Sequence, residues 1–233
     1  MATTMPMSGL LEAPVRPVVE ARPERLKRAF DVVAALLLLV LTAPLVAVVA
    51  LVVAVGLGRP VLFRQARVGR DGSIFELVKF RSMLPIDPRR GLVTDADRLT
   101  SLGRFLRATS LDELPTLWNV LRGDMSLVGP RPLLPEYLPR YSPWQARRHE
   151  VRPGVTGLAQ VTGRNSLSWE EKLDLDVRYV DTRNLRVDLA ILRATVRTVL
   201  RREGISAAGT ATAPEFLGTG SLAETGGRDR APV

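Results

Sequence analysis

The sequence predicts an α+β protein, mostly helical, in which a re-entrant membrane helix-break-helix precedes a compact cytoplasmic domain with a small β-hairpin and interfacial amphipathic helices. Three observations carry that prediction. The run from Val32 to Gly58 holds no charged residue, and arginines crowd both of its flanks. Two β-rich runs around a Gly-Arg-Asp-Gly turn stand out in a remainder dominated by helical apolar spacing.

Residues 1–24 are rich in Pro, Ala and Thr without an apolar period, which reads as a flexible N-terminal tail. Residues 25–59 form the membrane-inserted segment. Its uncharged run would extend about 40 Å as a helix, ample for a hydrocarbon core of roughly 30 Å. Pro44 sits near the midpoint, where proline removes an i to i−4 hydrogen bond and bends the helix. Arg22, Arg25, Lys27 and Arg28 precede the run, and Arg59, Arg64, Arg67 and Arg70 follow it. The positive-inside bias therefore places both ends in the cytoplasm, which a straight span does not satisfy. The alternatives are a kinked single span and a signal peptide. The uncharged run is about twice the length of an ordinary h-region and starts late in the chain, which weighs against the latter.

Residues 60–204 form the compact domain. Pro60 to Val68 and Ile74 to Phe80 read as hairpin strands joined through Gly69-Arg70-Asp71-Gly72. Leu99 to Leu106, Leu111 to Leu121, Trp169 to Val180 and Val187 to Leu200 carry helical spacing. The last has Leu189, Leu192, Val196 and Val199 on one side and Arg193, Arg197 and Arg201 on another. That pattern fits a helix in the membrane interface, and equally a surface helix with its apolar side on the core. Residues 205–233, rich in Gly, Ala, Thr and Ser, read as a disordered C-terminal tail.

Composition narrows the chemistry. The 233 residues contain no Cys and one His, which excludes disulfides, thiolate nucleophiles and Cys- or His-cluster metal sites. A metal here would be a hard cation on oxygen ligands. With 33 Lys plus Arg against 24 Asp plus Glu, the net charge of +9 points to an anionic partner. Nearly all of the positive charge is Arg, the residue suited to forked phosphate contacts.

The sharpest local feature is Ser110-Leu111-Asp112-Glu113-Leu114-Pro115. Structurally it reads as a helix start, with Ser110 and Glu113 at capping-box spacing or Asp112 as the N-cap. Functionally, adjacent carboxylates could divide two tasks, nucleophile on phosphorus and holder of a hard cation. Arg107 lies upstream, and Arg131 is clamped in Gly129-Pro130-Arg131-Pro132, where two prolines restrict the backbone. Lys79 and Arg81 alternate at the end of the second strand and could add charge to one face. A third cluster, Arg152-Pro153-Gly154-Val155-Thr156-Gly157 continuing to Gln160, Gly163, Arg164 and Asn165, offers glycines for close approach to a ligand, or is a structural loop. No P-loop occurs. Asp174, Asp176 and Tyr179 fall on one predicted helix, with a solvated acidic face as the expectation.

Taken together, residues 26–203 resemble the bacterial sugar transferase family, the monotopic phosphoglycosyl transferases, in its short form. The matching strings are Lys27-Arg28-Ala29-Phe30-Asp31, Lys79-Phe80-Arg81-Ser82-Met83, Thr109 to Pro115, Trp118 to Pro132, and Arg152 to Gly157 running on to Gly163-Arg164-Asn165. The resemblance implies transfer of a sugar 1-phosphate from a UDP-sugar to polyprenyl (undecaprenyl) phosphate with release of UMP, the first membrane step of exopolysaccharide, O-antigen or glycoprotein glycan synthesis. It implies Asp112 as the nucleophile that forms a covalent phosphosugar intermediate, and Glu113 as the Mg²⁺ ligand. Lys79, Arg107 and Arg131 would neutralise phosphate, and Arg152, Gln160 and Arg164 would line the substrate pocket. Membrane lipids would be partners and nucleic acid would not; a homo-oligomer is left open. The place implied is the bacterial inner membrane, with the catalytic domain on the cytoplasmic face. The rival reading is a non-catalytic, membrane-anchored basic module that binds anionic lipid or nucleic acid.

Overall fold

Helix α1 runs from Glu24 to Gly56 through Pro44 without interruption of its assigned helix. In the computed structural model, which describes residues 24–163, 166–201 and 215–218, it is the one helix among the described residues long and apolar enough to cross a membrane. The expected break is thus not a gap in the helix. Its contacts nevertheless divide in two. Near the start, Phe30, Ala34, Ala35 and Leu39 pack with Leu117, Val120, Leu127 and Ile191. Near the end, Val46, Val49, Val53 and Leu57 pack with Phe80, Leu102 and Leu106. Between these zones Val40, Leu41 and Leu45 are exposed, and the exposed apolar row runs from Leu36 through to Val55 on the outer side of the helix. A water-soluble fold would bury such a row, so its exposure marks a surface made for lipid.

Both ends of α1 are also tied down by polar groups. Arg28 donates to the carbonyls of Val120 (2.5 Å) and Leu121 (2.8 Å). At the other end the Arg81 guanidinium donates to the carbonyls of Leu57 and Gly58, closing the helix C-terminus where free carbonyls and the dipole both favour a cation. Arg81 therefore caps a helix and does not share the task expected of Lys79.

The hairpin forms as expected: β1 (Leu62–Val68) pairs antiparallel with β2 (Ile74–Phe80), with Phe63 opposite Lys79 and Arg67 opposite Phe75. Next come α2 (Ser101–Ala108), a 3₁₀ turn at Leu111–Thr116, and α3 (Leu117–Arg122). A second, parallel pair was not expected: β3 (Ser126–Val128) lies beside β4 (Gly154–Thr156). Three-residue strands leave too short a pattern to read.

Helices α4 (Trp169–Thr182) and α5 (Leu185–Arg201) close the domain. Ser168 caps α4 with a full capping box to Glu171. The expected solvated acidic face holds for Asp174, which is exposed, whereas Asp176 and Tyr179 of α4 are buried. Asp176 accepts from Arg148 Nε (3.1 Å) and Nη2 (2.8 Å). Tyr179 Oη donates to Asp188 (2.8 Å), and Lys27 Nζ bridges Asp188 (3.0 Å) and Asp31 (2.8 Å). In α5 the buried face is Val187, Asp188 and Ile191, while Leu189 and Val196 stay exposed. The core face therefore overlaps the apolar stripe that the spacing picks out at Leu192, while Leu189 and Val196 fall outside it. Within the stretch read as a disordered tail, Phe216 is buried among Tyr137, Trp169 and Leu173, and Arg140 pairs with Glu215 (2.7 Å). One aromatic side chain docked in an aromatic pocket orders a stretch whose composition does not announce it.

Candidate active site

The central carboxylates sit on the 3₁₀ turn. Ser110 enters it in the left-handed region, at φ 57°, and makes no side-chain cap, so neither expected helix-start arrangement is realised. A non-glycine residue there is a strained backbone held by its surroundings. Those surroundings are β2 and α3. Thr116 Oγ1 donates to the Val78 carbonyl (3.1 Å), and Asn119 accepts from Val78 N (3.0 Å) while donating to the Glu76 carbonyl (2.7 Å). These side chains fasten the carboxylate turn to the strand that carries Lys79.

Asp112 is 5% exposed, and Glu113 stands next to it at the edge of a cleft. Burial, and then the like charge of Glu113, push the Asp112 carboxyl up to about 6; Lys79, Arg107 and Arg131 pull the other way. Burial lowers the pKa of Lys79, and the charge of Asp112 opposes that shift. Its ammonium also lies over the Phe63 ring at 5.5 Å. Arg107 Nε donates to Ser82 Oγ (3.0 Å), and Arg131 forks onto Glu113 Oε1 with both terminal nitrogens at 3.2 Å. Lys79, Glu113, Arg131, Arg67, Thr116 and Val155 line a small open cleft. The structure thus brings Asp112, Glu113, Lys79, Arg107 and Arg131 together.

Arg131 is presented by backbone geometry. Gly129 N donates to the Thr156 carbonyl (2.9 Å), Gly154 N donates to the Pro130 carbonyl (2.9 Å), and Arg148 Nη2 holds the Arg131 carbonyl at 2.6 Å. A Cβ on Gly154 or Gly157 would fall 2.1 Å from Gly129 backbone atoms. These glycines therefore let two chain segments cross; the close approach expected toward a ligand is spent on the protein's own backbone.

The other expected site residues lie apart or outside. Arg152 Nε donates to the Gly123 carbonyl (3.1 Å) and its charge favours ionised Glu24, so it stands at the start of α1 and does not line the Asp112 cleft. Both amide atoms of Gln160 are buried without a partner, beside Gly157. Arg164 lies outside the described residues. The lone His149 is structural: it stacks near Tyr141, and burial and Arg148 depress its pKa to about 4. Arg67, Thr116 and Asn119 were not among the expected site residues. Arg67 was within reach, because pairing Lys79 with Phe63 puts Arg67 on the same face four positions further along β1.

Among the described residues no group of three His, Asp or Glu side chains could hold a metal. Mg²⁺ is commonly held by one or two carboxylates together with substrate phosphates. Asp112 and Glu113, two adjacent carboxylates on the 3₁₀ turn, have that donor chemistry.

A family model described as bacterial sugar transferase matches residues 22–202. The chain is 52% identical over 198 residues to the uncharacterized sugar transferase EpsL of Bacillus subtilis, covering 84% of this chain and 98% of that protein. It is 43% identical over 185 residues to a UDP-glucose:undecaprenyl-phosphate glucose-1-phosphate transferase of Caulobacter vibrioides, covering 75% of this chain and 69% of the relative. It is 41% identical over 197 residues to the undecaprenyl-phosphate galactose phosphotransferase of Salmonella typhimurium, and there it spans 77% of this chain but only 41% of the relative.

Proposed function

The chain belongs to the bacterial sugar transferase family, and from that premise we propose that it moves a sugar 1-phosphate from a UDP-sugar to undecaprenyl phosphate with release of UMP. The observation that carries the reading is the charge balance at the cleft. Lys79, Arg107 and Arg131 act on Asp112, and Arg67 lines the cleft with Glu113, four cations against two carboxylates, which leaves two positive charges for a diphosphate bearing two negative ones. The names of the relatives, which specify UDP-glucose as a donor and undecaprenyl phosphate as acceptor, agree with that charge.

In the proposed mechanism an Asp112 oxygen attacks the phosphorus that carries the sugar. The bond from that phosphorus to the bridging oxygen breaks, its electron pair stays with UMP, and an aspartyl phosphosugar remains. A phosphate oxygen of undecaprenyl phosphate then attacks the same phosphorus, and the carboxylate leaves. Lys79, Arg107 and Arg131 neutralise charge on the phosphoryl oxygens, which is most of what this chemistry requires of a protein. Mg²⁺ held by Glu113 would supply further neutralisation. Asp112 needs no base, because a carboxyl with a pKa of about 6 is largely ionised at neutral pH.

The re-entrant topology belongs to the same proposal. Two docking zones on one domain, separated by an exposed apolar stretch, support a helix that enters and leaves on the cytoplasmic face of the inner membrane. It sets the cleft where a lipid phosphate presents its headgroup. Single cysteines replacing Arg25 and Arg59, both exposed in this cysteine-free chain, are expected to react with an impermeant label from the same side. Opposite-side labelling would refute the topology. The reaction is tested by UMP release from protein in nanodiscs supplied with Mg²⁺, undecaprenyl phosphate and a panel of UDP-sugars. Release that depends on the acceptor beyond a single turnover is expected, and no release from any donor would overturn the transferase reading.

A further inference from the structure

We propose that Arg67 is the binding site for the phosphate of the leaving nucleotide, an assignment that rests on the transferase reading above. Arg67 lines the cleft with Lys79, Glu113 and Arg131. Its guanidinium has five N–H donors. One is given to the Pro132 carbonyl (Nη1, 3.3 Å) and one to Gln65 Oε1 (Nη2, 2.6 Å), and Nε is buried with no partner. No carboxylate among the described residues forms an ion pair with it. Glu136 and Tyr137 favour its charge only through space, while burial and Arg131 oppose it. A guanidinium stays charged, and a cation drawn out of water without a counter-ion is costly unless something anionic completes it. The protein supplies no such group, so a ligand must.

The positions of the other cations say which part of the ligand. Lys79, Arg107 and Arg131 all act on Asp112, whereas the charged neighbours of Arg67 are Arg131 and Glu136. Arg131 therefore stands between a group that serves the nucleophile and a cation that does not. A diphosphate with its sugar-bearing phosphorus at Asp112 would extend past Arg131, and its second phosphate would meet Arg67. When the phosphorus to bridging-oxygen bond breaks, the electron pair remains on that oxygen and the departing phosphate gains a negative charge. Arg67 has free donors for that oxygen, so its contact strengthens as the bond breaks. Its anchoring to Pro132, next to Arg131, keeps the two guanidinium groups in fixed relation.

The test uses the full chain in nanodiscs with wild type, Arg67→Gln and Arg67→Lys compared. Arg67→Gln is expected to weaken UMP, measured as product inhibitor and by direct titration, by roughly 10- to 100-fold, the range for losing a charge-assisted hydrogen bond. The donor kcat/KM should fall by a similar factor. The kcat/KM for undecaprenyl phosphate should not move, because the acceptor reacts after the nucleotide has left. Arg67→Lys keeps the charge but loses the fork, and should fall between the other two; it carries the test if Arg67→Gln folds poorly. A purely structural role through Pro132 would lower the melting temperature and impair both half-reactions together, and that result overturns the assignment. So does UMP affinity within twofold of wild type in both variants. Failure of wild type to turn over any donor would instead bring down the transferase reading, and this assignment with it.

Discussion

Asp112 and Asp176 are both buried carboxylates next to arginine, yet they are used in opposite ways. Asp176 receives two hydrogen bonds from Arg148, and both side chains are almost wholly enclosed, at 5% and 1% exposure. Around Asp112 the cations also serve other groups: Arg107 donates to Ser82, Arg131 forks onto Glu113, and Lys79 lies over Phe63. Its closest charged neighbour in the chain is a second carboxylate, and its pKa is pushed up to about 6. A charge completed by the protein holds the fold together. A carboxyl kept from easy ionisation by burial and a like-charged neighbour, beside several cations, is where chemistry belongs.

The largest effect should come from exchanging those roles by mutation. Asp112→Asn is expected to reduce UMP release by at least about 10³-fold, the scale for removing a nucleophile, while leaving a folded protein. It should also stabilise it. Because the folded-state pKa of Asp112 lies above the usual 3.8, this carboxyl is most favourable to folding below pH 4 and becomes unfavourable as pH rises through about 6. Thermal melting of Asp112→Asn should therefore exceed wild type at pH 7.5, by on the order of 2 kcal/mol, and the gain should vanish toward pH 4. Arg148→Met should do the reverse, costing about 3–5 kcal/mol by stranding Asp176, with catalysis affected only as far as the Arg131 carbonyl loses its holder. Equal melting of the two variants would break the comparison.

The pH profile sharpens it. Donor cleavage should fall as pH drops through about 6, where Asp112 takes up its proton. Glu113→Gln removes a like charge, so the acid limb of the remaining activity should move to lower pH. A limb that stays in place would assign it to another group. The smallest effect is expected at Tyr179→Phe, which removes one donor from the Asp188 end of the Lys27 network and should cost about 1–2 kcal/mol in denaturant unfolding with kcat unchanged.

The legibility of these features followed from how local their causes are. The apolar run, the hairpin and helix α4 were readable because period and capping act within a few residues, as in the Ser168–Glu171 box. Asp112, Glu113, Lys79, Arg107 and Arg131 were nameable from strings in the chain, and the structure brings them into one charged cluster beside the cleft. What stayed hidden depended on partners far apart in sequence. The burial of Asp176 needs Arg148, that of Asp188 needs Lys27, and the order of Phe216 needs Tyr137 and Trp169. The glycines of the Arg152–Gly157 stretch were legible as a demand for close approach, but only the fold shows that the approaching group is Gly129.

The central claim is that Asp112 itself becomes esterified. Intact-protein mass spectrometry of enzyme given a UDP-sugar and Mg²⁺ without acceptor should show a mass gain of one sugar phosphate, mapping to Asp112, lost on addition of undecaprenyl phosphate and absent from Asp112→Asn. Turnover that proceeds with no such adduct, or with the adduct on another residue, would contradict it.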